Sequence, residues 1–204
     1  MRLTIPNQLT LLRIILTPVF IVLFLRGSAY DQLYASIAFF LAAVTDWYDG
    51  WFARTFGVIT RWGQFMDPLA DKFLVSSALI IFAVMGYVKW WMVWIILSRD
   101  VMVTIIRIYA IGKGTPIVTH NVAKLKTFFQ MNTVFIILLY VNWLNFHGTG
   151  SSTYHSRYFD GIGILMILVT LLTLISAVIY VVENSELILR FLRVIFIFPF
   201  RLKK

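Results

Sequence analysis

Runs of about twenty consecutive, mostly apolar residues constrain this chain more than any other feature, because a helix of that length spans the ~30 Å hydrocarbon core of a bilayer. Six such runs can be placed, at Leu9–Leu25, Leu33–Phe52, Asp67–Met85, Trp90–Ala110, Lys126–Asn145 and Asp160–Val182. Inside a bilayer the backbone must satisfy its own hydrogen bonds, so each run is expected to be a spanning helix. Composition agrees. Of 204 residues, 60% are hydrophobic and 13% charged, and the mean hydropathy is +0.86, whereas an ordinary soluble domain is about 25% charged. A water-soluble globule of this size is thereby excluded. The expected fold class is an all-α integral membrane protein of six transmembrane helices with both termini cytoplasmic. Residues 1–183 are expected to form one six-span domain and residues 184–204 a basic amphipathic cytoplasmic tail lying on the anionic inner leaflet.

The orientation rests on where the 18 Lys and Arg residues fall. With a cytoplasmic amino terminus, only Arg26, Lys89 and Arg157 lie on the far side and Arg99 lies within a span, leaving the rest on the near side, as the positive-inside rule requires. Tyr87, Trp90, Trp91, Trp143, Tyr154 and Tyr158 are then expected to form much of the outer aromatic belt. The first run is read as a retained helix rather than a signal peptide: Arg13 lies within it and no convincing small-residue cleavage site follows. The formal net charge of +9 is spread along one membrane face, which suits anionic lipids and anionic substrates and argues against nucleic acid as a partner. Cysteine is absent, excluding disulfides, thiolate metal sites and cysteine nucleophiles. His120, His147 and His155 show no metal-binding spacing with the acids and are assigned no catalytic role.

Four of the nine acids are concentrated where the second and third runs meet. Asp46 and Asp49 are separated by three residues and Asp67 and Asp71 by four, so each pair shares one helix face. Four carboxylates converging at a membrane boundary repel one another and lose solvation, at several kcal/mol per ion unless cations compensate. Oxygen-only ligation suits Mg²⁺, or Mn²⁺ in its place, and two such ions can be shared among four carboxylates. Capping of helices, or pairing with Arg54, Arg61 and Lys72, is the alternative use of these acids. Gly50 and Ala53 lie on the strip that runs from Asp46 to Arg54, leaving either a close helix contact or room for a flat ligand beside the backbone.

The stretch DWYDGWFARTFGVITRWGQFMDPLAD, Asp46 to Asp71, resembles the D-x2-D-G-x2-A-R-x8-G-x3-D-x3-D signature of the CDP-alcohol phosphotransferases, with Asp46, Asp49, Gly50, Ala53, Arg54, Gly63, Asp67 and Asp71 in register. The resemblance implies six membrane helices and transfer of a phospho-group from a CDP-linked donor to an alcohol, with release of CMP. It implies two Mg²⁺ ions held by Asp46, Asp49, Asp67 and Asp71, with Asp71 also the general base for the acceptor hydroxyl. Gly50 and Ala53 would clear space for cytidine, and Arg54 and Thr60 would contact the nucleotide. Asn7 and Thr10 are either further donor neighbours or helix caps at the interface.

Asn7 to Arg13, Ser98-Arg99-Asp100 with Arg107, and Ala123 to Thr127 with Gln130-Met131 resemble the bacterial branch of the family whose donor is CDP-diacylglycerol and whose acceptor is sn-glycerol 3-phosphate. An inositol phosphate acceptor is the alternative within the family. Arg99 and Arg107, separated by eight residues on nearly the same helix face, are preferred as buried sites for the acceptor phosphate. Asp100 points about 100° from Arg99, so direct pairing of the two is not assumed. Lys124 and Lys126 are expected at an anion-collecting mouth, ordinary topology-setting charge being their other reading. The resemblance also implies a homodimer in the bacterial cytoplasmic membrane, with the active site facing the cytoplasm. A transporter would also explain charges within spans, but gives no reason for the Asp46-to-Asp71 spacing. Asp46→Asn, Asp49→Asn and Asp67→Asn are each expected to cut turnover severely without unfolding the protein. Asp71→Asn should lower turnover by roughly 10²-fold or more through loss of the base while retaining some donor binding, as CMP-release and donor-binding assays on purified protein would measure.

Overall fold

The structure, a computed structural model, describes residues 5–56, 61–113, 121–147 and 160–191. Within these, the side chains at 5–8, 46–47, 49–56, 61–68, 71 and 111 lie outside the described set. The described residues are helical and contain no strand. Six long helices follow one another: α1 (Ile5–Arg26), α2 (Ala29–Phe56), α3 (Arg61–Val84), α4 (Trp90–Lys113), α5 (Asn121–Phe146) and α6 (Gly161–Glu183).

Each helix covers one of the expected runs, but α2 and α3 continue past the apolar residues. At 28 residues, α2 is about 42 Å long at 1.5 Å per residue, more than a hydrocarbon core requires. Its last turns and the first turns of α3 therefore carry the whole acidic motif on helices, leaving only residues 57–60, outside the described set, between them. Among the described residues, three helices are long and apolar enough to cross a membrane: Leu9–Arg26 within α1, Asn121–Phe146 and Gly161–Glu183. Among the same residues, α3 contributes the shorter apolar helix Lys72–Val84. Large apolar side chains remain on the outside all round, among them Leu139, Val178, Val182 and Trp94. So much apolar exterior calls for a non-aqueous surrounding.

α1 packs along α2 and α3, α4 against α3 and α6, and α5 against α6, α2 and α3. At the far end from the acidic motif, aromatic rings close the core. Phe24 of α1 meets Phe82 of α3 at 5.6 Å and Tyr87 at 6.5 Å between centroids, and Phe20 meets Phe39 of α2 at 5.4 Å. Tyr87 is 1% exposed, so it belongs to this core rather than to the outer belt, where Trp90, Trp91 and Trp143 do lie exposed. Tyr154 and Tyr158 lie outside the described residues.

The turn after α3 explains the difference. Gly86 has φ +80°, its N–H donates to Ala83 at 3.2 Å, and the Tyr87 N–H donates to Phe82 at 2.8 Å. This paired closure is a Schellman motif, and it folds Tyr87 back onto the Phe82 ring, 6.4 Å away. At the same end, Asn142 of α5 donates to Ser36 of α2 at 2.8 Å and Asn145 to Gln32, tying the antiparallel pair by polar contacts. α6 begins cleanly because Asp160 accepts from the Gly163 N–H at 2.7 Å, a helix N-cap.

No atom would crowd a Cβ at Gly86, so replacing this glycine has only the conformational penalty of a left-handed L-residue, ~1–2 kcal/mol. Gly86→Ala should lower stability by about that amount, read from thermal or denaturant unfolding in detergent, with no change in catalytic constants.

Candidate active site

Helices of alternating direction bring the amino ends of α1, α3 and α5 to the same side as the carboxyl ends of α2, α4 and α6. The backbone places Asp46, Asp49, Gly50, Ala53 and Arg54 in the last turns of α2 and Asp67 and Asp71 in the first half of α3. Their side chains, and all of Thr60, lie outside the described residues, as does the Asn7 side chain. Thr10 is fully buried, more than a turn inside α1, which removes the helix-cap reading for that residue.

One turn beyond the motif, the interior becomes charged. Asp100 of α4, 2% exposed, accepts from Lys126 Nζ of α5 at 2.6 Å and from Arg99 Nη1 at 3.1 Å, both at Oδ1. Lys72 Nζ of α3 lies 3.6 Å from Oδ2 of the same carboxylate. Arg99 reaches on with Nη2 to Ser176 Oγ of α6, at 2.6 Å. One carboxylate thus gathers cations from α3, α4 and α5, and the chain of contacts continues to α6. Charge-assisted bonds this short are strong, and burial would otherwise penalise each ion by several kcal/mol.

Geometry makes the cluster a gap rather than a seam. Among the described residues, no Cα of α4 comes within 8 Å of one in α5, yet Lys126 crosses that space to Asp100. Its long stem is fully buried, letting the ammonium group work at a distance from its own backbone.

The site residues expected from sequence therefore separate. Arg99 is buried as expected, and Arg107, half-buried two turns further along α4, has no ion-pair partner among the described residues. Lys124 is exposed at the start of α5, where a collecting mouth would place it. Lys126 is inside: a two-residue step along a helix turns a side chain by about 200°, so Lys124 and Lys126 cannot both face water. Arg99 and Asp100 do pair despite their 100° separation, because the flexible guanidinium arm swings toward a carboxylate that Lys126 already holds. The sequence named Asp100 only as a neighbour of Arg99 and Lys72 only as a possible partner of the motif aspartates, and it did not single out Ser176. An acid in the middle of an apolar run was the available signal for Asp100's central place; Ser176 had none beyond its polarity.

Residues 3–196 match the profile of the CDP-alcohol phosphatidyltransferases. The chain belongs to that family. Its similarity to CDP-diacylglycerol–glycerol-3-phosphate 3-phosphatidyltransferase of Bacillus subtilis is 37% identity over 147 residues, covering 66% of this chain and 76% of the relative. The Salmonella typhimurium protein of the same name is 34% identical over 154 residues, covering 72% and 84%. A probable phosphatidylglycerophosphate synthase of Mycobacterium tuberculosis is 38% identical over 136 residues, covering 65% of each chain. The family assignment agrees with the eight-position acidic signature on α2 and α3.

Removing one partner from a buried ion pair typically costs about 3–5 kcal/mol because the other charge is left uncompensated. Asp100→Ala should therefore destabilise the protein by that order. Removing the exposed Glu186, which approaches Arg190 at 3.9 Å, should change stability by less than about 1 kcal/mol. Unfolding of the two variants side by side in detergent measures the contrast.

Proposed function

We propose that this protein transfers the phosphatidyl group from CDP-diacylglycerol to sn-glycerol 3-phosphate, giving phosphatidylglycerol phosphate and CMP for phospholipid biosynthesis. The observation that carries the reading is a largely buried cationic cluster that includes Lys72, the residue after Asp71. Lys72, Arg99 and Lys126 surround the single carboxylate of Asp100, so the described side chains of the cluster hold two positive charges in excess. A phosphate monoester, with close to two negative charges at neutral pH, matches that surplus, and an uncharged alcohol does not. The names of the relatives support the same donor and acceptor.

The donor set Asp46, Asp49, Asp67 and Asp71 is all oxygen and fits Mg²⁺, with Mn²⁺ able to replace it. When bound, two such ions neutralise charge at the β-phosphorus and on the departing CMP oxygen. Asp71 removes the proton from the acceptor's primary hydroxyl, whose oxygen then forms the new bond to the β-phosphorus as the bond to CMP breaks. Gly50 and Ala53 leave space for the cytidine, and Arg54 and Thr60, with Asn7 and Thr10 nearby, hold the nucleotide. Arg99 and Arg107 receive the acceptor phosphate, Lys126 supplies further positive field from inside, and Lys124 attracts the anion at the entrance.

In this reading all six helices cross the bacterial cytoplasmic membrane, both termini are cytoplasmic and the site faces the cytoplasm, where the water-soluble acceptor can enter. The lipid donor approaches through the apolar exterior. Two copies associate as a homodimer. Residues 1–183 form the catalytic domain, and the basic tail of residues 184–204 rests on the inner leaflet. Its first part, through Leu187 and Ile188, packs on Val103, Ile106 and Tyr180.

CMP release from CDP-diacylglycerol should require a divalent cation, falling to background in EDTA and returning with Mg²⁺ or Mn²⁺. Losing a charged hydrogen-bond partner costs about 1.5–3 kcal/mol, or roughly ten- to 150-fold. Arg99→Ala and Arg107→Ala should raise the acceptor KM by that factor while leaving the donor KM nearly unchanged. Equal use of uncharged glycerol by the unmodified protein would overturn the assignment of the acceptor.

A further inference from the structure

α6 carries buried hydroxyls that the proposed chemistry leaves unused. Thr170, Thr173, Ser176 and Tyr180 are all buried and recur every three or four residues, so they form one stripe on the inward face. The first two need no outside partner, since their hydroxyls donate to the carbonyls of Met166 and Val169 at 2.7 Å. Ser176 is different, accepting from Arg99. Tyr180, one turn nearer the motif-bearing end, is 6% exposed, and its hydroxyl has no hydrogen-bond partner among the described residues. Burying a hydroxyl without a partner is unfavourable. Phenylalanine would fill the same space without that penalty.

The surroundings indicate what the hydroxyl is for. Its ring packs against Val103 and Ile106 of α4, the helix that carries Arg99 and Arg107. Ser176, one turn before Tyr180 on α6, accepts from Arg99, and Ile106, against which the Tyr180 ring packs, precedes Arg107 in the chain. Arg99 Nε also lacks a partner, while its Nη atoms are held by Asp100 and Ser176. Ser176 and Tyr180 also line a small pocket, of about one water's size, with Val122 and Ala123 from the start of α5 and Ile179 and Glu183 of α6, next to rather than around the arginines. Glu183 is exposed, so solvent screens its charge from an entering anion. Among the described residues, a guanidinium with an unpaired N–H, a second arginine without an ion-pair partner and an unpartnered hydroxyl donor thus occupy the adjoining helices α4 and α6.

We propose that Tyr180 is a specificity-determining residue, whose hydroxyl donates a hydrogen bond to the anionic head of the phosphorylated acceptor held by Arg99 and Arg107. This rests on the reading of the acceptor as a phosphate monoester. A neutral donor beside two guanidinium groups gives the anion a third, directional contact, and an acceptor lacking the phosphate would leave that donor buried and unpaired.

The test uses the full-length purified protein with Tyr180→Phe, which keeps the ring and its packing. The acceptor KM should rise about ten-fold or more, and inhibition by inorganic phosphate competing with the acceptor should weaken by a similar factor. The donor KM and kcat should stay near their original values, and thermal stability should be unchanged or higher, since an unsatisfied hydroxyl is removed. An unaltered acceptor KM and phosphate inhibition would overturn the proposal. So would a clear loss of stability, because it would mean that the hydroxyl has a structural partner. Arg99→Ala and Arg107→Ala, assayed in parallel, separate the two levels: if they raise the acceptor KM and Tyr180→Phe does not, the phosphate pocket stands and the role of Tyr180 falls. If none of the three changes it, the phosphate pocket itself is wrong.

Discussion

The carboxylate of Asp100 is the point on which the functional half of the molecule depends. It accepts Lys126 at 2.6 Å and Arg99 at 3.1 Å and lies 3.6 Å from Lys72, linking three helices through one group. An apolar interior cannot hold the buried Arg99 and Lys126 without such an anion, to which the partly exposed Lys72 adds a third cation. Nor can one carboxylate neutralise three cations, so the same node that makes the cluster tolerable leaves it attractive to a further anion. In the proposed function, stability and substrate affinity are two consequences of one charge imbalance. The spacing of α4 and α5 follows as well, since their backbones stay apart while Lys126 bridges the space between them.

The two ends of the bundle are built for different tasks. At one end the rings of Phe20, Phe24, Phe39, Phe82 and Tyr87 interlock, and the turn at Gly86 presses the last of them inward. That end is closed by ring contacts and by the Asn142–Ser36 and Asn145–Gln32 hydrogen bonds between α2 and α5. At the other end α2 and α3 project the acidic motif beyond the apolar residues, and the space between α4, α5 and α6 is lined by arginine, lysine, serine and tyrosine. A closed end of this kind gives the reacting end a fixed frame, which matters when a lipid and a water-soluble anion must meet in one geometry.

The number, order and type of the elements were legible in the sequence because a bilayer demands long apolar helices and leaves few alternatives. Where those helices end was not legible in the same way. Hydropathy marks where the hydrocarbon stops, whereas α2 and α3 continue through Asp46 to Arg54 and from Arg61 to Asp71 as polar helix. The spacing of the four aspartates could be read because it depends only on helical periodicity. The partners of Asp100 could not, because they depend on which helices are neighbours and how each is rotated. Lys126 illustrates this: its charge suggested the surface, and only the packing of α5 shows that it faces inward. Tyr87 failed as an interfacial residue for a local reason, a glycine-dependent turn that redirects the chain. Tyr180 was hidden by its helix, since a single tyrosine in an apolar span reads as an anchor until its hydroxyl is found buried.

The most direct measurement is a competition experiment. Purified protein with Mg²⁺ and CDP-diacylglycerol is given an equimolar mixture of glycerol 3-phosphate, inositol phosphate, serine and glycerol, and the lipid products are identified by mass spectrometry. A surplus of buried positive charge beside the acidic motif, together with the likeness to glycerol-phosphate-using relatives, predicts phosphatidylglycerol phosphate as the dominant product. Phosphatidylglycerol or phosphatidylserine in comparable amount, or a predominance of phosphatidylinositol phosphate, would contradict it.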